Sequence, residues 1–263
     1  MTPTLPHFVS SLPPEGANFP GGGPAENLTP TLPQFEASMP PEGAEYSATR
    51  TMADVTAMIL AGGRGTRMGG VDKGLQNFNG VPLAMHTMMR LNIQQGGPLG
   101  AVMINANRNL GAYEAFGADV WPDVIDGFAG PLAGMLTGLE RCETPLLMTV
   151  PCDTPLFPLD MIDRLLDAMN AHNNGQGADI AMVAAPEPGP EGSTTLRAQP
   201  VFALMHIELM ESLADFIKQG GRKIDAWTAM HSTVLVPFDL PQDDPRAFFN
   251  ANTLAELQSL ENT

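Results

Sequence analysis

From residue 54 onward, short apolar runs alternate with longer stretches in which apolar residues recur at helical spacing. Most of the short runs are almost continuously apolar, as strands buried on both faces of a sheet are. They predict strands at Val55–Leu60, Ala101–Ile104, Pro145–Val150, Asp179–Ala184, Val201–Leu204 and Thr233–Val236. The longer stretches predict helices at Leu83–Gln94, Leu132–Arg141, Leu159–Ala171, Ile207–Gln219 and Leu254–Leu260. The segment Glu187–Arg197, which contains Gly and Pro, is predicted to be a loop.

The order of these elements predicts an α/β fold. A strand followed by a helix, repeated several times, gives a mostly parallel sheet with helices on both faces. We therefore predict one three-layer α/β/α, Rossmann-like domain that spans residues 51–263. Ligands of such sheets bind at the carboxyl ends of the strands. The loops that follow the strands are the expected place for chemistry.

Residues 1–50 differ in composition from the rest of the chain, because they hold ten of its 25 prolines. Thr2–Phe19 reappears with substitutions as Thr29–Tyr46, at an offset of 27 residues. Neither a helix nor a β-ladder survives such proline density, so the two copies cannot stack a core. The pattern predicts a disordered tail rich in Pro and Gly. A docking motif presented twice remains the alternative to an unconstrained duplication.

Composition and charge limit the class of protein. The chain of 263 residues, 43% hydrophobic, is long enough for one large domain and a tail. Its 29 acidic and 13 basic side chains give a net charge of −16, which argues against a general binder of nucleic-acid backbones. Two cysteines exclude a disulfide framework, and the sequence leads us to expect neither a secretory leader nor a membrane-spanning segment. We expect a cytoplasmic protein with no nucleic-acid or membrane partner.

The loop after the first predicted strand, residues 60–73, concentrates glycine and positive charge. Its glycines allow the backbone to approach a ligand and to point N–H groups at phosphate oxygens. Arg64, Arg67 and Lys73 lie within ten residues of one another in an otherwise acidic chain. The loop matches neither a P-loop nor a dinucleotide-binding fingerprint. It predicts an anion site, and a flexible loop with solvated basic residues is the alternative.

Asp153 follows another predicted buried strand and is the candidate metal ligand. Its carboxylate is a hard oxygen donor suited to Mg²⁺, and the strand before it carries no competing charge. The alternative, that Asp153 caps the next helix, is weakened by Pro155 and Pro158. The adjacent Cys152 has no His or Asn partner nearby in the sequence. It is predicted to be a small buried residue and not a nucleophile.

An ordered set of motifs over residues 55–260 resembles one enzyme family. In chain order these motifs are residues 60–63, 67–75, 105–108, 123, 130–134, 151–155, 199–204 and 249–253. Together they resemble the MobA-like nucleotidyltransferases, and Gly69–Leu75 resembles the molybdenum cofactor guanylyltransferases in particular. The resemblance implies that residues 51–263 form a nucleotidyltransferase domain.

The resemblance also implies a reaction and its partners. GMP is transferred from GTP to molybdenum-molybdopterin, giving molybdopterin guanine dinucleotide cofactor and pyrophosphate, with Mg²⁺ as cofactor. Molybdenum-insertion proteins and molybdoenzyme chaperones are further partners that the family suggests. The attack on the α-phosphorus needs little covalent help, so catalysis is expected from positioning and from neutralising phosphate charge.

The family's residue roles carry over onto matching positions of this chain. Catalysis is implied for Arg67, Lys73 and Asp153, and metal binding for Asp153. GTP binding is implied for Leu60, Ala61, Gly62, Gly63, Lys73, Asn105, Asp123 and Asp153. The second substrate is expected to meet Gln199, Arg222, Lys223, Asn250 and Asn252.

Two other functions remain open at this point. One is a nucleotidyltransferase with a different reaction, such as a molybdopterin cytidylyltransferase or a sugar-phosphate enzyme. The other is a non-catalytic nucleotide-binding adaptor. Gly69–Leu75 favours the guanylyl enzyme over the first. The joint presence of Arg67, Lys73 and Asp153 favours an enzyme over the second.

Overall fold

The computed structural model describes residues 49–62, 71–125, 130–175, 177–188, 193–251 and 253–261. Almost all of the predicted tail, residues 1–50, lies outside this part of the chain. The disorder of the tail and the domain boundary near residue 50 therefore stay predictions.

The strands and helices follow one another in the alternation that the sequence predicts. The strands are β1 Val55–Leu60, β2 Asn77–Phe78, β3 Val81–Pro82, β4 Ala101–Asn105, β5 Asp119–Trp121, β6 Leu146–Pro151, β7 Ile180–Pro188, β8 Thr194–His206 and β9 Thr233–Pro237. The α-helices are α1 Leu83–Asn92, α2 Leu110–Glu114, α3 Pro131–Arg141, α4 Met161–Gly175, α5 Met210–Lys218, α6 Ile224–Thr228 and α7 Leu254–Glu261. Single 3₁₀ turns lie at Met52–Asp54, Lys73–Leu75 and Ile207–Leu209.

Seven of the described strands form one sheet in the order β5-β4-β1-β6-β8-β7-β9. Only β8 runs against its neighbours in this sheet, pairing antiparallel with β6 and β7. The other pairs are parallel. The predicted mostly parallel sheet is confirmed.

Two hydrophobic cores cover the two faces of the sheet. Alternate side chains of β1 divide between them, because successive side chains of a strand point to opposite faces. Val55, Ala57 and Ile59 pack with α1 and α4, whereas Met58 packs with α3 and α5. This arrangement is the predicted α/β/α sandwich. A smaller cluster joins Phe78 of β2 to the last helix, α7.

The prediction of a loop at Glu187–Arg197 is wrong at both ends of the segment, where the residues belong to strands. β7 continues to Pro188 and β8 begins at Thr194, with Glu187 paired to Thr195 and Ala185 paired to Arg197. The neighbouring strand β9 ends opposite Ala184. Beyond that point β7 is an edge strand, where a proline without an N–H is tolerated. Pro186 therefore lies inside an edge strand and does not mark the end of β7.

Several short elements escaped the sequence pattern. They have at most five residues each, and such lengths carry too few positions to show a period. They are β2, β3, α2, β5 and α6. The predicted helix Ile207–Gln219 is a 3₁₀ turn followed by α5. The predicted helix Leu159–Ala171 begins later, at Met161.

A partly buried ion pair attaches the chain after β9 to helix α4. Arg164 of α4 contacts Asp243, with 2.9 Å between Nη1 and Oδ1, and the side chain of Asp243 is 7% exposed. The guanidinium also lies over the ring of Phe238, 3.7 Å from its centroid, and donates to the carbonyl of Pro237 at 2.6 Å. These contacts hold the segment that leads to Asn250.

Replacement of Arg164 by Met should destabilise the protein by about 2–3 kcal/mol, because it leaves the carboxylate of Asp243 buried without its cation. The matched control is Arg246→Met, which removes an ion pair to Asp244 in which both side chains are about half exposed. The control should cost less than about 1 kcal/mol. Urea unfolding of both variants measures the difference. Equal losses would contradict the anchoring role of Arg164.

Candidate active site

The carboxyl ends of three neighbouring strands meet at one edge of the sheet. Leu60, the last residue of β1, pairs with Asn105 at the end of β4 and with Pro151 at the end of β6. The residues that follow these strands therefore emerge side by side. Three of the predicted site segments, residues 60–62, 105 and 153, lie at this edge.

Asn105 and Asp123 form the polar part of this edge beside β5. The buried Asn105 donates from Nδ2 to Asp123 Oδ1 at 2.9 Å and to the Trp121 carbonyl at 3.1 Å. Asn107 donates to Asp123 Oδ2 at 2.8 Å and accepts from the Asp123 N–H at 2.8 Å. Both carboxylate oxygens of Asp123 thus have amide partners, which fix the orientation of the carboxylate.

Two glycines allow the backbone to pack directly against Asn105. A Cβ on Gly62 would lie 3.1 Å from Asn105 Oδ1 and 2.9 Å from Asn107 Nδ2. A Cβ on Gly134, in α3, would lie 2.5 Å from the same Oδ1 and 2.8 Å from Cδ2 of Leu60. Any other residue at Gly134 must displace the side chain that holds Asp123. These glycines therefore shape the site through close packing.

Lys73 and Asp153 form an ion pair at the carboxyl edge, although 80 residues separate them in the sequence. The distance between Nζ and Oδ2 is 3.1 Å, and the side chains are 22% and 19% exposed. Both groups therefore remain within reach of a ligand. The alternative role of Asp153, as a helix cap, is excluded because α4 begins only at Met161. The arrangement places an ammonium and a carboxylate side by side at the carboxyl edge of the sheet.

The C-terminal segment lies beside Asp153. The Ala251 N–H donates to the Asp153 carbonyl at 2.9 Å. The buried Thr154 donates its hydroxyl to Oδ1 of Asn250. Asn250, a predicted residue of the second-substrate site, is thus brought next to the predicted metal ligand.

The other predicted second-substrate residues are more dispersed. Gln199 lies on the part of β8 that extends past the end of β6, and it donates to Glu187 Oε1 at 2.8 Å. It therefore shares the carboxyl edge with Asp153. Arg222 and Lys223 lie in the turn between α5 and α6, where Arg222 donates to the carbonyl of Gly221 at 2.8 Å. This hydrogen bond lies within the turn itself.

Three predicted site residues, Gly63, Arg67 and Asn252, lie outside the described residues. Cys152 is buried, as predicted. Burial, with the nearby charge of Asp153, raises the pKa of its thiol, so the thiol stays protonated and is a poor nucleophile. Among the described residues, no group of three or more His, Cys, Asp or Glu side chains forms a metal cluster. No helix described here has both the length and the apolar character needed to cross a membrane.

Sequence reasoning missed Asn107, Asp72 and Tyr113. Asn107 could have been found, because it lies two residues after Asn105 just past the end of a strand, and such spacing brings side chains to one side of an extended chain. Asp72 accepts from Tyr113 across 41 residues of sequence. No local pattern predicts that contact.

A mostly parallel sheet with the Lys73–Asp153 pair at its carboxyl edge places polar chemistry where α/β domains bind nucleotides. Comparison with known proteins makes this class more specific. The family model of the MobA-like NTP transferase domain matches residues 57–234. The chain belongs to this family and is a nucleotidyltransferase.

Individual relatives agree with the family. Molybdenum cofactor guanylyltransferase of Albidiferax ferrireducens is 68% identical over 209 residues, which cover 80% of this chain and 96% of the relative. The protein of the same name from Bordetella petrii is 58% identical over 207 residues, covering 79% and 97%. The crystal structure of molybdopterin-guanine dinucleotide biosynthesis protein A from Archaeoglobus fulgidus has a TM-score of 0.58 at 19% identity, covering 79% of this chain and 97% of the other. That structure shows the shared fold, and the resemblance found in the sequence is confirmed.

Gly134→Ala should lower the affinity for GTP about tenfold, because a displaced Asn105 no longer orients Asp123 through a charge-assisted hydrogen bond. The matched control is Gly111→Ala in α2, where an added Cβ meets nothing within 4 Å. The control should bind GTP normally and be slightly more stable. Calorimetric titration with GTP and Mg²⁺ measures both affinities. Unchanged affinity in Gly134→Ala would remove Asn105 from the binding site.

Proposed function

We propose that this chain transfers GMP from GTP to molybdenum-molybdopterin, forming molybdopterin guanine dinucleotide cofactor and releasing pyrophosphate. The observation that carries the proposal is the Lys73–Asp153 pair at the carboxyl edge of a domain from this family. The relatives that are 52–68% identical to the chain are named molybdenum cofactor guanylyltransferases, which supports a guanylyl group as the group transferred and the molybdenum cofactor as its acceptor.

Residues at the ends of β1, β4 and β5 support binding of the nucleoside. Leu60, Ala61 and Gly62 leave the sheet beside Asn105, and Gly62 has no side chain to block access. Asp123 offers a carboxylate that two asparagine amides already orient. A fixed acceptor discriminates well between bases, because a base without the matching donor leaves it unpaired.

Catalysis in this proposal comes from positioning the two substrates and from neutralising the charge of the phosphates. A phosphate oxygen of the pterin forms a bond to the α-phosphorus, while the bond from that phosphorus to the bridging oxygen breaks and the electron pair leaves with pyrophosphate. Lys73 donates from Nζ to the phosphate oxygens, whose charge it balances together with Arg67 from the glycine-rich loop. A preorganised cation of this kind stabilises charge that develops in the transition state without reorganising solvent.

The donor set at Asp153 fits Mg²⁺. The carboxylate is a hard oxygen ligand at the end of a buried strand, and the amide oxygen of Asn250 is held nearby. Mg²⁺ in proteins is often held by one or two carboxylates together with substrate phosphates. We assign Asp153 as the ligand, and the ion would supply neutralisation of phosphate charge when bound.

The second substrate is proposed to lie beside Asn250 and Gln199. Both residues share the carboxyl edge with Asp153. Asn252, Arg222 and Lys223 remain further candidates for contact with the pterin phosphate. Molybdenum-insertion proteins, molybdoenzyme chaperones and a cytoplasmic location stay predictions from the sequence and the family.

The base preference tests the guanylyl assignment. With molybdenum-molybdopterin and Mg²⁺, GTP should be turned over far better than CTP, because mispaired polar groups can cost up to about 10⁴-fold in kcat/KM. Mass spectrometry of the dinucleotide product identifies the base that was transferred. Equal or better turnover with CTP would favour the cytidylyl alternative and leave the fold unaffected.

Asp153→Asn should keep the fold and lose at least about 100-fold in turnover, because the variant retains the size of the side chain but not its charge. Asp215→Asn is the matched control, since Asp215 lies on the exposed side of α5, where it pairs with Lys218. Steady-state kinetics and circular dichroism are measured on both variants. A folded Asp153→Asn enzyme with normal turnover would exclude Asp153 from the mechanism.

A further inference from the structure

We infer that Tyr113 is a positioning residue for the nucleotide site. Through the carboxylate of Asp72 and the backbone of Gly74, it holds Lys73 in place against Asp153 and so strengthens binding of the triphosphate. The inference about binding rests on the proposed function. It adds a residue on α2, outside the loops that carry the family motifs, to the machinery of the site.

The hydroxyl of Tyr113 is buried and has a defined partner. Tyr113 is fully buried on α2, and its hydroxyl donates to Oδ1 of Asp72 at 2.5 Å. Asn109, just before α2, donates from Nδ2 to Oδ2 of Asp72 at 2.9 Å. Both oxygens of the Asp72 carboxylate are therefore held by the α2 region. The residue that immediately precedes Lys73 is fixed from two directions.

The residue that follows Lys73 is fixed as well. A Cβ on Gly74 would lie 2.4 Å from the hydroxyl oxygen of Tyr113 and 3.1 Å from Cε1 of its ring. The ring therefore packs directly on the Gly74 backbone, and no larger residue fits there. The Gln76 N–H donates to the Lys73 carbonyl at 3.0 Å, which closes a 3₁₀ turn. Lys73 thus sits between two anchored neighbours.

The backbone before α2 is bent to make these contacts. Asn109 has φ of 52°, in the left-handed region, which an asparagine adopts more readily than most residues. The conformation is held although it costs energy, and such outliers gather where a structure needs a side chain in one place. Here the side chain that it places is the second donor to Asp72.

The protonation state of Tyr113 agrees with a donor role. Burial, followed by the hydrogen bond to Asp72, raises the pKa of Tyr113 far above its ordinary value. The phenol is therefore protonated at any working pH and donates to the carboxylate. A fixed backbone at Lys73 matters because the flexible lysine side chain loses rotamer freedom when it is ordered.

Chemical labelling tests the inference without relying on turnover. The chain has three lysines, Lys73, Lys218 and Lys223. Lys73 is mostly buried in its ion pair, whereas Lys218 is largely exposed and serves as the internal reference. The full-length protein is treated with a limiting amount of acetic anhydride, and mass spectrometry of peptides gives the rate of acetylation at each lysine.

In Tyr113→Phe, Lys73 should be acetylated at least about threefold faster relative to Lys218, because a hydrogen bond to a charged group is lost. The matched control is Thr56→Val, which removes another buried hydroxyl, bonded to Thr144 at 2.8 Å, at the opposite edge of the sheet. The control should leave the ratio unchanged. An unchanged ratio in Tyr113→Phe, or the same change in both variants, would overturn the inference.

Kinetics test the consequence for the nucleotide. Tyr113→Phe should raise KM for GTP about tenfold and change kcat much less, whereas Thr56→Val should change neither. In a Lys73→Ala background, Tyr113→Phe should raise KM less than about twofold, because the effects of two substitutions that act through the same group do not add. Full additivity would mean that Tyr113 does not act through Lys73.

Two further outcomes need to be distinguished: a Tyr113→Phe variant that does not fold, and a wild-type protein that does not use GTP. If Tyr113→Phe does not fold, Asp72→Asn replaces it. The amide of this variant places an N–H donor opposite the N–H donor of Asn109, so the hydrogen bond between the two positions is lost. Acetylation of Lys73 should then be faster, as in Tyr113→Phe. Unchanged acetylation in a folded Asp72→Asn protein would overturn the inference. Wild-type protein that does not use GTP would overturn the proposed function instead, and the labelling ratio distinguishes the two failures.

Discussion

The register of the three central strands is the constraint on which the site depends. Leu60 lies opposite both Asn105 and Pro151, so β1, β4 and β6 end at the same level. A slip of one residue in β1 would send Ala57 and Ile59 to the wrong core, because side chains alternate between the faces of the sheet. The two cores therefore fix the register, and the register brings Asn105 and Asp153 to one edge.

Close packing of polar side chains on glycine is the second organising feature. Glycine-rich turns in nucleotide-binding loops are usually explained by the approach of phosphate to the backbone. Here Gly62 and Gly134 make room for the amide of Asn105, and Gly74 makes room for the phenol of Tyr113. In the structure they let buried hydrogen-bonding side chains reach their partners. Part of the glycine pattern in the sequence thus reflects internal packing.

The sequence predicted the parts of the structure that have a long local pattern. β1 has the predicted limits, and the longer helices differ by a few residues at their ends. Asp153 was predicted because it follows a continuous apolar strand, whereas Asn105 was predicted from its match to a motif of the family. The sequence did not predict that β7 continues to Pro188 or that β8 begins at Thr194. Prolines in this segment suggested a loop, although proline is also allowed on an edge strand. The contact of Tyr113 with Asp72 joins distant parts of the chain, so only the folded structure reveals it.

Charge balance connects the ion pair to the proposed chemistry. Lys73 and Asp153 are both largely removed from solvent, so each would be costly without an opposite charge nearby, and the two offset each other. In the proposed reaction, a triphosphate competes with Asp153 for the ammonium of Lys73. The carboxylate then loses its cation at the moment when additional negative charge arrives. A divalent cation that enters together with the nucleotide would restore the balance, because Mg²⁺ is bound jointly by carboxylates and substrate phosphates. The Lys73–Asp153 pair is therefore consistent with the proposed binding of Mg²⁺ together with the nucleotide.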